Sequence, residues 1–213
     1  MRLFRRIRSG GPAGNERLTA TVGLVLIGLL GAEAATAIDL HTFLSWHLFL
    51  GLLLLAPVAL KLASTGWRFA RYYLHSEPYR LLGPPQIVLR LLAPLLVAAT
   101  LVLFGSGVTF LVVGHGGGTV LTVHVVSFVV FGVVVALHTL AYLGRVASDG
   151  TADWRLRRPS LAGAPLRRLA VGGALVAGVA VALATLSVQG SWLRGRHHRH
   201  QEHDAVSAAR RVA

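Results

Sequence analysis

Polar positions in this chain are gathered between long apolar runs rather than interleaved with them. Five runs stand out, at about Leu18–Ile38, Phe43–Ala63, Ile87–Val113, Thr119–Leu143 and Leu169–Val188. Each has about 20 residues or more, enough to cross a hydrocarbon layer of about 30 Å as a helix. Lipid offers no partner to a free backbone N–H or C=O, so a crossing segment of this composition must be helical. The pattern therefore predicts an all-α integral membrane protein with five transmembrane helices, four of them in an antiparallel bundle. Residues 1–17 form a basic tail, residues 18–190 the membrane bundle, and residues 191–213 a polar, His-rich tail.

Small residues at Ala174, Gly178 and Ala182 make a ridge on the fifth run that suits close helix contact. Pro57 and Pro94 are the predicted kink points. The first run also has features of a secretory signal: a basic lead, an apolar stretch and the small residues Ala34-Ala35-Thr36-Ala37. Its basic lead is long for a signal, and a retained first span is the expectation.

Composition agrees with the pattern. Of 213 residues 54% are hydrophobic and only 14% charged, against roughly 25% charged in soluble domains. A net charge of +13 taken alone would point to nucleic acid, but its distribution argues against that partner. No Lys, Arg, Asp or Glu occurs between Arg90 and Arg145. Arginine sits in the tails, in the link from Thr65 to Arg90 and in the link from Arg145 to Arg168, whereas Asp39–Thr42 and Gly114–Gly118 carry none. By the positive-inside rule the arginine-rich face is cytoplasmic, with the N-terminus inside and the C-terminus outside. The five arginines of the C-terminal tail run against that rule. Twenty of the 21 basic residues are Arg, which together with abundant Ala, Gly, Val and Leu points to a GC-rich bacterial genome and a plasma-membrane location. The absence of cysteine excludes disulfides, iron–sulfur clusters, thiolate ligation and covalent haem attachment.

Ionisable residues inside apolar runs are costly and are functional candidates by default. His47 and Lys61 share the second run, His124 and His138 the fourth, and each pair is 14 residues apart. Fourteen steps rise about 21 Å and return to within about 40° of the same face. The two runs point the same way across the membrane, which puts His47 level with His124 and His138 level with Lys61. Two imidazoles at one depth are what a buried haem iron needs. An ammonium does not ligate iron, so Lys61 is read as a contact for a propionate, a lipid or a carboxylate. His138 is left either with another partner or with no metal. Gly51, one turn beyond His47, fits either a close macrocycle approach or a helix-packing glycine. Arg68 and Arg71 cluster on the inner side, as propionate or anionic-lipid contacts.

His47-Leu-Phe-Leu-Gly51 with Lys61, and His124-Val-Val-Ser-Phe128 with His138, resemble two helices of bacterial membrane cytochromes b. These are the four-helix-bundle subunits that accompany hydrogenases, formate dehydrogenases and molybdopterin oxidoreductases. The segment Lys61 to Tyr73 and the later Gly83-Pro-Pro85 resemble one bacterial branch of that group. The resemblance covers roughly residues 40–145. It implies non-covalent haem b held by His47, His124 and His138, and electrons passed between a redox partner subunit and the quinone pool. Lys61 stands where many relatives carry a fourth histidine, which implies a one-haem protein or a branch that has lost haem. An electron-transfer subunit, alone or in a homo- or hetero-oligomer, is expected rather than a self-sufficient enzyme.

Two other classes stay open on the sequence. One is a haem-free scaffold or anchor. The other is a metal-ion transporter using Glu33 and the tail residues His197, His198, His200 and His203. His41, His75 and the Gly114–Gly118 turn are expected at the surface.

Overall fold

The structure, a computed structural model, describes residues 10–81, 87–113, 118–154 and 161–190, without the side chains of 87–90 and 145. Five long helices follow in order: α1 (Gly11–Ile38), α2 (Leu40–Tyr73), α3 (Ile87–Val113), α4 (Gly118–Gly150) and α5 (Ala164–Ala184). Single turns at Glu77–Arg80 and Ala152–Trp154 precede α3 and α5. All five helices are long and apolar enough to cross a membrane. Their outer faces carry large bare aliphatic residues, such as Val126, Val129 and Val133 of α4, each more than half exposed. Lipid is the solvent for such a surface. The chain is a multi-pass membrane protein.

The helices outrun the apolar stretches that predicted them. α1 begins at Gly11 rather than Leu18, α2 continues from Ala63 to Tyr73, and α4 from Leu143 to Gly150. Hydropathy marks the part of a helix that meets lipid; backbone bonding carries the helix on through polar residues. Asp39 starts α2 by accepting a hydrogen bond from Thr42 N at 3.2 Å, an N-cap that ends α1 and begins α2 within one residue. Inside α2 the backbone departs from helical dihedrals at Phe43 (φ −105°, ψ 16°), not at Pro57.

α1 packs against α2 and α4, α3 packs against α4 and also touches α2. The four helices thus close into a ring, with α2 and α4 on its diagonal. Ala99 and Leu103 of α3 meet Phe131 of α4 in one apolar layer, with Leu30 of α1 against it. α5 lies outside this ring on α2 and, less extensively, on α1, where Val22, Leu54, Val58 and Val171 form a second layer.

The small-residue ridge of α5 makes that contact. Ala182 is fully buried against Leu52 and Leu53, and a Cβ on Gly178 would collide with the Leu53 carbonyl oxygen. Backbones this close need glycine. Gly178→Val is expected to destabilise the protein by about 1–3 kcal/mol, the usual cost of overpacking. Thermal unfolding in detergent measures it, and an unchanged midpoint would refute this contact.

At one end of the molecule the polar helix termini are tied together. Asp153 is buried and accepts from Arg17 Nη1 (3.0 Å), Arg167 Nε (2.5 Å) and Arg167 Nη2 (2.9 Å). Arg168 donates from Nε and Nη2 to the Asp153 carbonyl. Asn15 and Arg68 join the ends of α1 and α2 through Ser64 O and Glu16. Thr21 donates to Gly150 O at the end of α4. The opposite end holds the α1–α2 turn.

Candidate functional site

Near the α1–α2 turn, two imidazoles face each other across the ring of helices. His47 of α2 and His124 of α4 have ring centroids 6.4 Å apart and planes 82° from parallel. Each ring is held by the helix beside it. His47 Nδ1 lies 3.0 Å from Glu33 Oε1 and 3.2 Å from Thr36 Oγ1, both on α1. Thr36 Oγ1 is itself fixed by donating to Glu33 O at 2.6 Å. His124 Nδ1 lies 3.2 Å from Leu103 O and 3.2 Å from Ser106 Oγ, both on α3. Ser106 donates to the same carbonyl at 3.0 Å.

These partners settle the tautomers. A carboxylate and a main-chain carbonyl only accept, so Nδ1 carries the proton in each neutral ring. The lone pair then belongs to Nε2, and no hydrogen bond engages Nε2 of either ring among the described residues. An imidazole whose rear N–H is held by a carboxylate or carbonyl is the usual form of a metal-ligating histidine. Two imidazoles sharing one ion through nitrogens at about 2 Å have centroids roughly 6 Å apart. The centroid separation of 6.4 Å is of that order.

Glycine makes room on both sides. A Cβ on Gly107 would stand 3.1 Å from His124 Cε1, and one on Gly51 would stand 3.3 Å from Glu33 Oε1. Gly51 therefore admits the carboxylate that orients His47. Glu33 Oε2 is buried with no hydrogen-bond partner.

Lys61 Nζ donates to Thr19 O at 2.7 Å, inside a polar ladder completed by Thr19 Oγ1, Ser64 Oγ and Lys61 O. A Cβ on Gly23 would stand 3.0 Å from Lys61 Nζ and 4.0 Å from Val146 Cγ1. His138 of α4 interacts electrostatically with Lys61, the residue expected at its depth. Its ring packs 5.0 Å from Tyr142, its Nδ1 is buried without a partner, and no second imidazole faces it among the described residues.

Arg68 and Arg71 do not join the imidazoles. The run from His47 to Arg68 rises about 31 Å, Arg68 pairs with Glu16 at 3.6 Å, and Arg71 lies over Trp67 and Tyr79. Both lie at the arginine-rich end, away from the imidazole pair. Lys61, anchored on Thr19, is likewise displaced toward the arginine-rich end.

Glu33, Thr36 and Ser106 are the members that sequence reasoning missed. On the sequence Glu33 entered as a residue of the metal-transport alternative. The signal was its i, i+3 relation to Thr36, which puts both on one face of α1. His41 and His75 are exposed, as expected. Gly114–His115 and the tail histidines lie outside the described residues.

Among the described residues no three His, Asp or Glu side chains are grouped closely enough to hold an ion by themselves. Fold and site together define a class: a multi-pass helical membrane protein with an oriented imidazole pair inside the bundle. Searches against family models, curated proteins and solved structures find no match to this chain.

Proposed function

We propose that this protein is a b-type membrane cytochrome that binds one haem between His47 and His124 and carries electrons between a redox partner and the quinone pool. The facing pair of Nδ1-anchored rings carries this reading. Two protein ligands are too few for a bare ion, since structural zinc takes four and catalytic zinc three. They suffice when the bound group brings its own equatorial nitrogens, as a porphyrin does. The donor set therefore fits haem better than a naked metal.

When bound, haem supplies reversible one-electron chemistry, tuned by axial ligands and burial. The chain's own residues do the rest. His47 and His124 present neutral Nε2 atoms from diagonal helices. Glu33 and Thr36 orient the first ring, Leu103 O and Ser106 the second. Gly51 and Gly107 leave space for those contacts, and the apolar layer of Ala99, Leu103 and Phe131 excludes water below them. Among the described residues His138 has no opposing imidazole, which supports one haem rather than two.

In the membrane, the arginine-rich end faces the cytoplasm of a bacterial cell by the positive-inside rule. The imidazole pair then lies toward the outer face, with His47 about 10 Å along α2 from Leu40. Cleavage after Ala37 would remove α1 and with it Glu33 and Thr36, the residues that hold His47.

Titration of the purified, haem-depleted chain with haem tests this reading. One equivalent bound with high affinity is expected; zero or two equivalents would contradict it. Ser106→Ala is expected to weaken haem retention about 10–100-fold without unfolding the bundle, the usual effect of removing a residue that supports a metal ligand. Haem-release kinetics measure it, and an unchanged rate would remove Ser106 from the site.

A further inference from the structure

Six arginine side chains are described, and four are engaged within the protein. Arg17 and Arg167 bind the Asp153 carboxylate, Arg68 binds Glu16, and Arg168 binds the Asp153 carbonyl. Arg71 and Arg80 have no carboxylate or carbonyl partner among the described residues. Both sit where the chain folds back after α2.

That fold-back is built locally. His75 takes a left-handed conformation (φ 59°), and Ser76 N donates to Arg71 O at 3.0 Å. The chain reverses, and the turn Glu77–Arg80 returns against the end of α2. The Arg71 guanidinium lies 5.6 Å from the Trp67 ring centre and 5.9 Å from that of Tyr79. Two aromatic rings thus hold one exposed guanidinium in place, and Arg80 follows Tyr79 in the chain. Glu77, also exposed, is the one described carboxylate of this turn.

The surroundings identify what meets these charges. Trp67, Phe69, Tyr73, Leu74 and Leu81 are all exposed, the last two by 75% and 82%. Trp67 and Arg71 lie about 6 and 12 Å beyond Ala63 along the helix, the depth of a headgroup layer. Aromatic rings with a polar edge and exposed aliphatic tips belong at that layer, where cationic side chains meet anionic lipid. A planar guanidinium pairs with phosphate through two parallel hydrogen bonds. We propose that this fold-back is a binding site for the phosphate headgroup of an anionic phospholipid, held by Arg71 and Arg80 beside Trp67 and Tyr79. An acidic soluble partner would match the charge, but not the bare Leu74 and Leu81.

The test uses the full chain purified in neutral detergent. Phosphatidylglycerol, phosphatidylcholine or inorganic phosphate is added, and the thermal unfolding midpoint and the number of retained lipids are measured. Phosphatidylglycerol is expected to raise the midpoint by several degrees and to be retained, because a ligand of the folded state stabilises it. Phosphatidylcholine and phosphate alone are expected to do neither. Arg71→Gln with Arg80→Gln is expected to unfold at the wild-type midpoint without lipid and to lose most of the response. The corresponding double lysine variant, still cationic but without the planar fork, is expected to retain part of it. Equal responses to the two lipids, or a full response in the double glutamine variant, would overturn the site.

Discussion

Replacing His124 by alanine is expected to leave a folded bundle that no longer retains haem. The imidazole is one of only two protein ligands in the proposed site, and no third histidine joins the pair among the described residues. Among the described residues the next histidine on α4 is His138, which interacts with Lys61 and has no imidazole facing it. The loss should exceed the about 10–100-fold that follows from removing a supporting residue. Folding should survive, because His124 is not among the fully buried side chains that pack the core. Its partners Leu103 O and Ser106 Oγ keep their own hydrogen bond. Haem content by extraction, measured beside the unfolding midpoint, separates the two effects. A variant with full haem would show that another residue ligates the iron. His138→Ala serves as the contrast and is expected to keep its haem.

Asp153→Ala carries the largest expected cost in stability. The Asp153 and Arg167 side chains are only 2% and 8% exposed. Removing the carboxylate leaves a buried guanidinium without its counter-charge, at a cost of about 3–5 kcal/mol. It also unties three segments at once: the start of α1 through Arg17, the turn after α4, and the start of α5 through Arg167. Acid should reproduce part of this loss. The Arg167 guanidinium, and after it Arg17, hold the Asp153 carboxyl below its ordinary value of 3.8 against the opposing effect of burial. A group whose folded pKa is depressed stabilises the fold fully above its unfolded value and loses that contribution as pH falls through the folded one. Stability from this cluster should therefore be level at neutral pH and decline below 3.8. Unfolding midpoints across that range measure it, and Asp153→Asn should flatten this part of the profile. A wild-type acid profile no steeper than that of the asparagine variant would remove the cluster from the account.

Much of the architecture was legible in the apolar runs, because lipid imposes both helix and minimum length. The ring positions of His47 and His124 were legible for the same reason: each lies a short, similar distance into its span. Lys61 and His138 were expected at one depth from their equal spacing, and the two interact electrostatically across the bundle. Glu33 was read from its position near a span end, whereas its role follows from the bare surface at Gly51 on another helix. Asp153 carried no local signal at all. Its three arginine contacts come from residues 14 and 136 positions away, and from Arg168 at its carbonyl.

The most direct test of the central claim is the reduced-minus-oxidised absorption difference of the wild-type protein, purified from cells supplied with haem. Sharp visible bands of a six-coordinate, bis-imidazole b-type haem, at one per chain, are the expected result. A featureless difference spectrum from folded protein would contradict the account.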